Sequence, residues 1–242
     1  MLIRSPKNFR RGLVMIVAFV ILFVFLLFPV LHDEMGNPQT GLQFADGVFN
    51  ELAKGSSDFI PQVRELVKSV DGKSVEVSVL LKKPDLMQPA IAVLTKAGAT
   101  AREEGGRLVF SGDLGAILAN ATDMSEKLYH NDGAAVSAMY DGMHHLEASR
   151  AWWYALSPAV KALQRQDLIA EAKVVDQVIR RAIEPGNNFY SLPAAKVSDH
   201  VLLLVIMLSF YILYTLWYGF SIFEFFEGFG LAMTKSKSKQ ES

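Results

Sequence analysis

Residues 13–31 and 201–223 contain no charged side chain. An apolar run of about 18 residues or more exceeds what a buried helix of a globular domain normally shows and reads as a membrane-spanning helix. Arg4, Lys7, Arg10 and Arg11 precede the first run with no acidic residue among residues 1–12. A basic head before an apolar run also opens a signal peptide, but Phe28, Pro29, Val30, Leu31, His32 and Asp33 offer no small-residue cleavage site, so an uncleaved anchor is expected. Lys235, Lys237 and Lys239 follow the second run. Basic flanks stay in the cytoplasm, so both termini are expected inside and the central segment outside, in the periplasm of a bacterial inner-membrane protein. The expected division is a basic cytoplasmic terminus (1–12), a first span (13–32), a periplasmic α+β domain (33–199), a second span (200–223), and an amphipathic exit with a basic tail (224–242).

Charge and cysteine content remove whole function classes. With 25 acidic against 24 basic side chains the chain has no excess positive charge to neutralise a phosphate backbone, and no nucleic-acid partner is expected. It has no cysteine, which excludes disulfides, thiolate-bound metals and covalently attached haem.

The segment between the spans changes period along its length. Residues 33–41, with Gly36, Asn37, Pro38 and Gly41, form a turn-rich exit, after which Phe44, Val48, Phe49 and Leu52 recur at helical spacing up to Lys54 and Gly55. Ser56, Ser57 and Asp58 can cap a second helix carrying Ile60, Val63, Leu66, Val67 and Val70. Val75, Val77, Val79 and Leu81 alternate with Glu76, Ser78, Leu80 and Lys82, the period of a half-buried strand. A helix over 85–97 follows, shortened or kinked by Pro89, then two strands joined at Glu104, Gly105 and Gly106, and a helix capped within 111–113. This β-α-β-β-α order resembles an incomplete ferredoxin-like layer. Beyond it the pattern predicts helices over 134–156, 158–165 and 168–183, with Asp167 capping the last and Pro185, Gly186 and Asn187 ending it. Glu171, Ala172, Arg181, Ala182 and Pro185 resemble the second half of a tetratricopeptide repeat, but with no second copy the segment reads as a helical hairpin.

Four sets of side chains are candidates for chemistry or contact. Met139, Met143, His144 and His145 carry thioether and imidazole ligands suited to copper or haem iron, with Met139 and Met143 one turn apart if the segment is helical. The competing reading packs the methionines in the core, and no cofactor is expected. Trp152 and Trp153, flanked by Arg150 and Tyr154, are candidates for a protein interface or for core packing. Tyr211, Tyr214, Trp217 and Tyr218 repeat along the second span, and Glu224 and Glu227 interrupt the phenylalanines that close it. Those carboxylates are expected either on an interfacial amphipathic extension or paired with basic residues of a neighbouring subunit. No phosphate-binding loop, HExxH or GxSxG motif occurs, so no catalytic role is expected. The expected function is that of an accessory or scaffold subunit held in lipid, in contact with other membrane-complex subunits or with itself. Alternatives are a receptor lacking its own output domain, a Met/His metal or redox carrier, and an oligomer similar in topology to the polysaccharide co-polymerases.

Overall fold

The computed structural model describes residues 3–32 and 36–231. In chain order the elements are α1 (Pro6–Leu26), β1 (Leu31–His32), β2 (Pro38–Gln39), α2 (Gly41–Ser56), α3 (Ile60–Lys68), β3 (Ser74–Val79), α4 (Met87–Lys96), β4 (Thr100–Glu104), β5 (Arg107–Asp113), α5 (Leu114–Tyr129), α6 (Gly133–Met139), α7 (His145–Gln164), α8 (Ile169–Val178), α9 (Glu184–Asn188) and α10 (Val201–Gly228). Contacts divide the chain into two compact units, Met1–Phe49 with Lys196–Ser242, and Asn50–Ala195.

In the first unit α1 and α10 are each long and apolar enough to cross a membrane. Gly12 meets Phe225, Phe9 meets Gly228, and Phe19 meets Trp217, so the two helices run antiparallel. Their bounds differ from the apolar runs in two ways. α1 begins at Pro6, with Lys7, Arg10 and Arg11 inside it, and ends at Leu26, five residues short of the apolar run's end. The cause is Pro29, which lacks an N–H and disfavours helical geometry at Phe28, so residues 27–30 turn and β1 pairs with β2 instead. α10 continues through Glu224 and Glu227 to Gly228 as one helix. The basic tail beyond it, including Lys235, Lys237 and Lys239, lies outside the described residues.

The second unit is built on a three-stranded sheet in the order β3-β5-β4, with β5 antiparallel to both neighbours. Val75, Val77 and Val79 turn inward opposite Gly112, Phe110 and Leu108, while Glu76 and Ser78 face out. The Gly105–Gly106 turn has φ of +58° and +76°, the left-handed pair that a two-residue hairpin demands. Asp113 ends β5 and caps α5, its carboxylate accepting from Gly115 N at 2.9 Å and from Gly72 N at 3.0 Å. No fourth strand lies beside β3 among the described residues; the Gln166 side chain instead donates to the Glu76 carbonyl at 2.9 Å. Helices α3 to α8 supply the rest of one continuous core around Phe110, Leu118, Met124 and Trp152.

Several predicted boundaries in the helical half are corrected. The segment 134–156 is two helices, because Asp141 (φ +53°) and Gly142 (φ +88°) reverse the chain between α6 and α7. Pro158 begins no new helix and lies inside α7. Asp167 does not cap α8; it is itself left-handed at φ +60°, and Leu168 takes the cap position. Pro185 does not stop the last helix. A π-helical turn over Ile179–Ile183 precedes it, widening the spiral so that the proline ring escapes the carbonyl it would strike in an α-helix, and α9 runs on to Asn188.

Candidate functional site

The seam between α1 and α10 is closed at its charged end by backbone contact. A Cβ added to Gly12 would stand 2.6 Å from Phe225 Cα, and one added to Gly228 would stand 2.6 Å from Phe9 Cα, so each glycine admits the other helix's phenylalanine. Close approach through small residues is how apolar helices pack without a hydrophobic driving force. The rings of Phe9 and Phe225 stack at 5.1 Å, and Phe229 meets Phe9 edge-on at 5.2 Å. Amides of Arg4 and Ser5 donate to the Gly228 carbonyl at 2.9 and 3.1 Å, satisfying an acceptor that the end of α10 leaves open.

Glu224 and Glu227 therefore sit on α10 itself, in a helix pair formed by one chain. Glu227 accepts from the Asn8 amide at 3.1 Å, while one oxygen of Glu224 is buried with no hydrogen-bond partner. Tyr214 stacks on Phe19 at 4.2 Å and Trp217 approaches the same ring at 6.5 Å. These two belong to the seam. Tyr218, 49% exposed, also lies against Phe19 at 5.0 Å, whereas Tyr211, 63% exposed, is on the outside of the pair.

The Met/His cluster is dispersed by the break at Asp141 and Gly142. Met139 ends α6, Met143 lies in the connection, and both pack on the core. The one-turn spacing expected of them is not realised, because no helix spans the two. His144 is the N-cap of α7, its Nδ1 accepting from Leu146 N at 3.3 Å, and its ring stacks on His145 at 4.2 Å. His145 packs on Tyr190 at 4.5 Å; burial first, and the neighbouring His144 second, hold its imidazole below the ordinary value. Among the described residues no group of three or more His, Asp or Glu is placed to hold a metal ion.

The adjacent tryptophans have separate roles. Trp152 is fully buried and its indole N–H donates to the Tyr140 hydroxyl at 2.9 Å, which donates in turn to Asn120 Oδ1 at 2.7 Å. Burial pushes the Tyr140 phenol far up, so it stays a neutral relay. Trp152 presents no surface to a partner. Trp153 is half-buried at the wall of a cavity of about 410 Å³ shared with Glu184, whose carboxylate accepts its indole N–H at 3.0 Å.

One functional residue escapes sequence reading. Lys54, in the last turn of α2, is only 2% exposed, and its ammonium donates to Asn131 Oδ1 at 2.9 Å, the Phe189 carbonyl at 3.0 Å and the Leu192 carbonyl at 2.6 Å. All three protons of an ammonium are thereby matched. The Tyr129 hydroxyl donates to the Lys54 carbonyl, and Asn131 adds bonds from its Nδ2 to the Leu192 carbonyl and from Ser191 N to its Oδ1. The cluster pins residues 189–195 to the ends of α2 and α5, and Ala195 N donates to the Glu51 carbonyl at 3.1 Å, so the unit begins and ends at one point. A lysine at a helix end signals a C-terminus in the sequence; nothing there marks partners 77 to 138 residues away.

Compared with protein-family models, with curated proteins and with solved structures, the chain matches none.

Proposed function

We propose that the chain is a two-pass protein of a bacterial inner membrane, with both termini in the cytoplasm and the Asn50–Ala195 unit in the periplasm, acting as an accessory or scaffold subunit. Its domain and its second span are the surfaces that meet other subunits. The observation that carries the reading is the outward position of Tyr211 on a helix long and apolar enough to cross a membrane. Tyr211 is the eleventh residue of α10, which at 1.5 Å per residue places it about 15 Å from Val201, half the thickness of a bilayer core. A phenolic hydroxyl at that depth gains from a hydrogen-bonding partner that lipid tails do not provide. The seam of the pair already has its own aromatics, so the outward Tyr211 serves a second protein.

Orientation rests on the head of α1. Lys7, Arg10 and Arg11 lie in its first turns with no acidic residue there, opposite to what the helix dipole favours. Retention on the cytoplasmic side supplies the compensating preference.

The chain lacks cysteine, so single cysteines at Ser5 and Ser57 report sidedness with a membrane-impermeant maleimide. Labelling of Ser57→Cys in intact spheroplasts, with Ser5→Cys labelled only after lysis, is expected; the reverse order overturns the topology. Gentle extraction followed by native mass measurement is expected to give a complex that Tyr211→Phe weakens. A solitary monomer under several mild conditions refutes the subunit role.

A further inference from the structure

The cavity beside Trp153 is lined by matching sets from two helical segments. α7 contributes Ser149, Arg150, Trp153 and Tyr154, and the last residue of the π-turn with α9 contributes Ile183, Glu184, Asn187 and Asn188. Both sets follow the spacing i, i+1, i+4, i+5, which brings four side chains to one face of a helix. The π-turn and Pro185 create this register, since the turn inserts its extra residue directly before Glu184. Such turns recur at functional sites.

The lining is left with unused hydrogen-bonding capacity. Ser149 is 1% exposed, yet its hydroxyl makes no hydrogen bond among the described residues and opens on the cavity. Arg150 forms no ion pair among them, Glu184 keeps one oxygen beyond the Trp153 bond, and the Asn187 and Asn188 amides touch at 3.3 Å with further donors and acceptors to spare. The volume of about 410 Å³ lies within the range of small-molecule sites, about 300–1,000 Å³.

The chemistry of these groups selects a ligand class. One carboxylate is too few for a divalent cation, which takes six or more oxygens or a set of nitrogen ligands. Arg150 is balanced by Glu184, so there is no net charge to hold a phosphate. A peptide that binds by strand addition needs a free sheet edge, and the walls here are helical side chains. A sugar ring offers apolar C–H faces for an indole and a phenol, and hydroxyls that both donate and accept to Ser, Asn, Arg and Glu. We propose that this cavity is a saccharide-binding site for one or two sugar rings, with Trp153 and Tyr154 as its apolar wall and Ser149, Arg150, Glu184, Asn187 and Asn188 as its polar rim. The proposal concerns the Asn50–Ala195 unit by itself and stands independently of the membrane reading.

The test uses the full chain in a polyoxyethylene detergent, since glycoside detergents carry the ligand class themselves. Maltotriose, cellotriose and the trimer of N-acetylglucosamine are titrated under saturation-transfer NMR, with trialanine as the peptide control. At least one sugar is expected to saturate with a Kd below about 1 mM, with the strongest transfer to its ring C–H protons. Arg150→Ala and Asn188→Ala, both at exposed positions, are each expected to weaken binding about 3–10-fold, the loss of one hydrogen bond. Trp153→Ala is expected to abolish it; if that variant fails to fold, the two exposed substitutions decide alone. The proposal is overturned if no trisaccharide saturates with a Kd below about 1 mM, if neither exposed substitution weakens binding, or if trialanine binds as well.

Discussion

Lys54→Met removes the ammonium and keeps the length of the side chain. Three acceptors then lose a donor, but each keeps another: Leu192 O retains Asn131 Nδ2 at 2.9 Å, and Asn131 Oδ1 retains Ser191 N at 2.9 Å. The Phe189 carbonyl likewise keeps Leu192 N at 3.2 Å. Bonds to a charged donor are worth about 1.5–3 kcal/mol each. Against this, the fold no longer strips water from an ammonium, a penalty of several kcal/mol. No acceptor is orphaned, so the three lost charged bonds weighed against that penalty set the scale, and a net loss of about 1–3 kcal/mol is expected. In a Trp217→Phe background the remaining tryptophans, Trp152 and Trp153, both report on the Asn50–Ala195 unit, and urea unfolding of the full chain in detergent should show a midpoint lowered by about 1 M. Amide exchange should accelerate over residues 189–195. An unchanged midpoint together with unchanged exchange there would refute the reasoning, for it would mean that the apolar stem alone holds the segment. The pH dependence has a definite sign. Burial pulls the Lys54 ammonium below its ordinary value of 10.5, so between that lowered value and 10.5 the unfolded chain binds more protons than the folded one, and stability rises with pH across this alkaline window. Lys54→Met is expected to abolish that rise.

Three further outcomes follow from the packing. Gly12→Leu forces the seam apart against Phe225 and should cost about 1–3 kcal/mol by melting in detergent, whereas Gly219→Leu, whose Cβ meets nothing within 4 Å, should be tolerated. Equal effects would contradict the close approach. Tyr140→Phe strands the buried indole N–H of Trp152, an expected loss of about 1–3 kcal/mol in chemical unfolding; an unaltered midpoint would show that this N–H has a second acceptor. His145 has a folded-state pKa below its ordinary 6.5, so stability should rise with pH through the window between the two and be lost on acidification; His145→Gln should flatten that slope in melts between pH 5 and 8, and a slope left intact would exclude His145 as its source.

The sheet was legible in the sequence because each signal there is local. Alternation at Val75, Val77 and Val79 fixes an inward face, Gly105–Gly106 supplies the paired positive φ of a type I′ hairpin turn, and Asp113 caps the helix that follows it. The helical half misleads because proline was read as punctuation. Pro158 is carried inside α7, and Pro185 is accommodated by a wide turn whose hydrogen-bond pattern has no compositional signature. Asp141 adopts positive φ beside Gly142 and breaks a helix that the apolar spacing runs straight through. Candidate contact residues divided according to neighbours that are remote in sequence: Trp152 found Tyr140 and Asn120, Tyr214 found Phe19, and Glu227 found Asn8. Lys54 and the Ser149–Asn188 cavity depend wholly on such long-range placement, so periodicity alone does not reveal them.

The bond between Glu51 and Ala195 also has a mechanical meaning. Tension applied to the two connections of the Asn50–Ala195 unit acts on neighbouring points, and the load passes across that junction without crossing the sheet or its helices. Pulled by its ends, the unit peels from residues 189–195 inward, with the Lys54 cluster as the first resistance. A body strung this way can be tugged by its tethers while its interior stays unstressed.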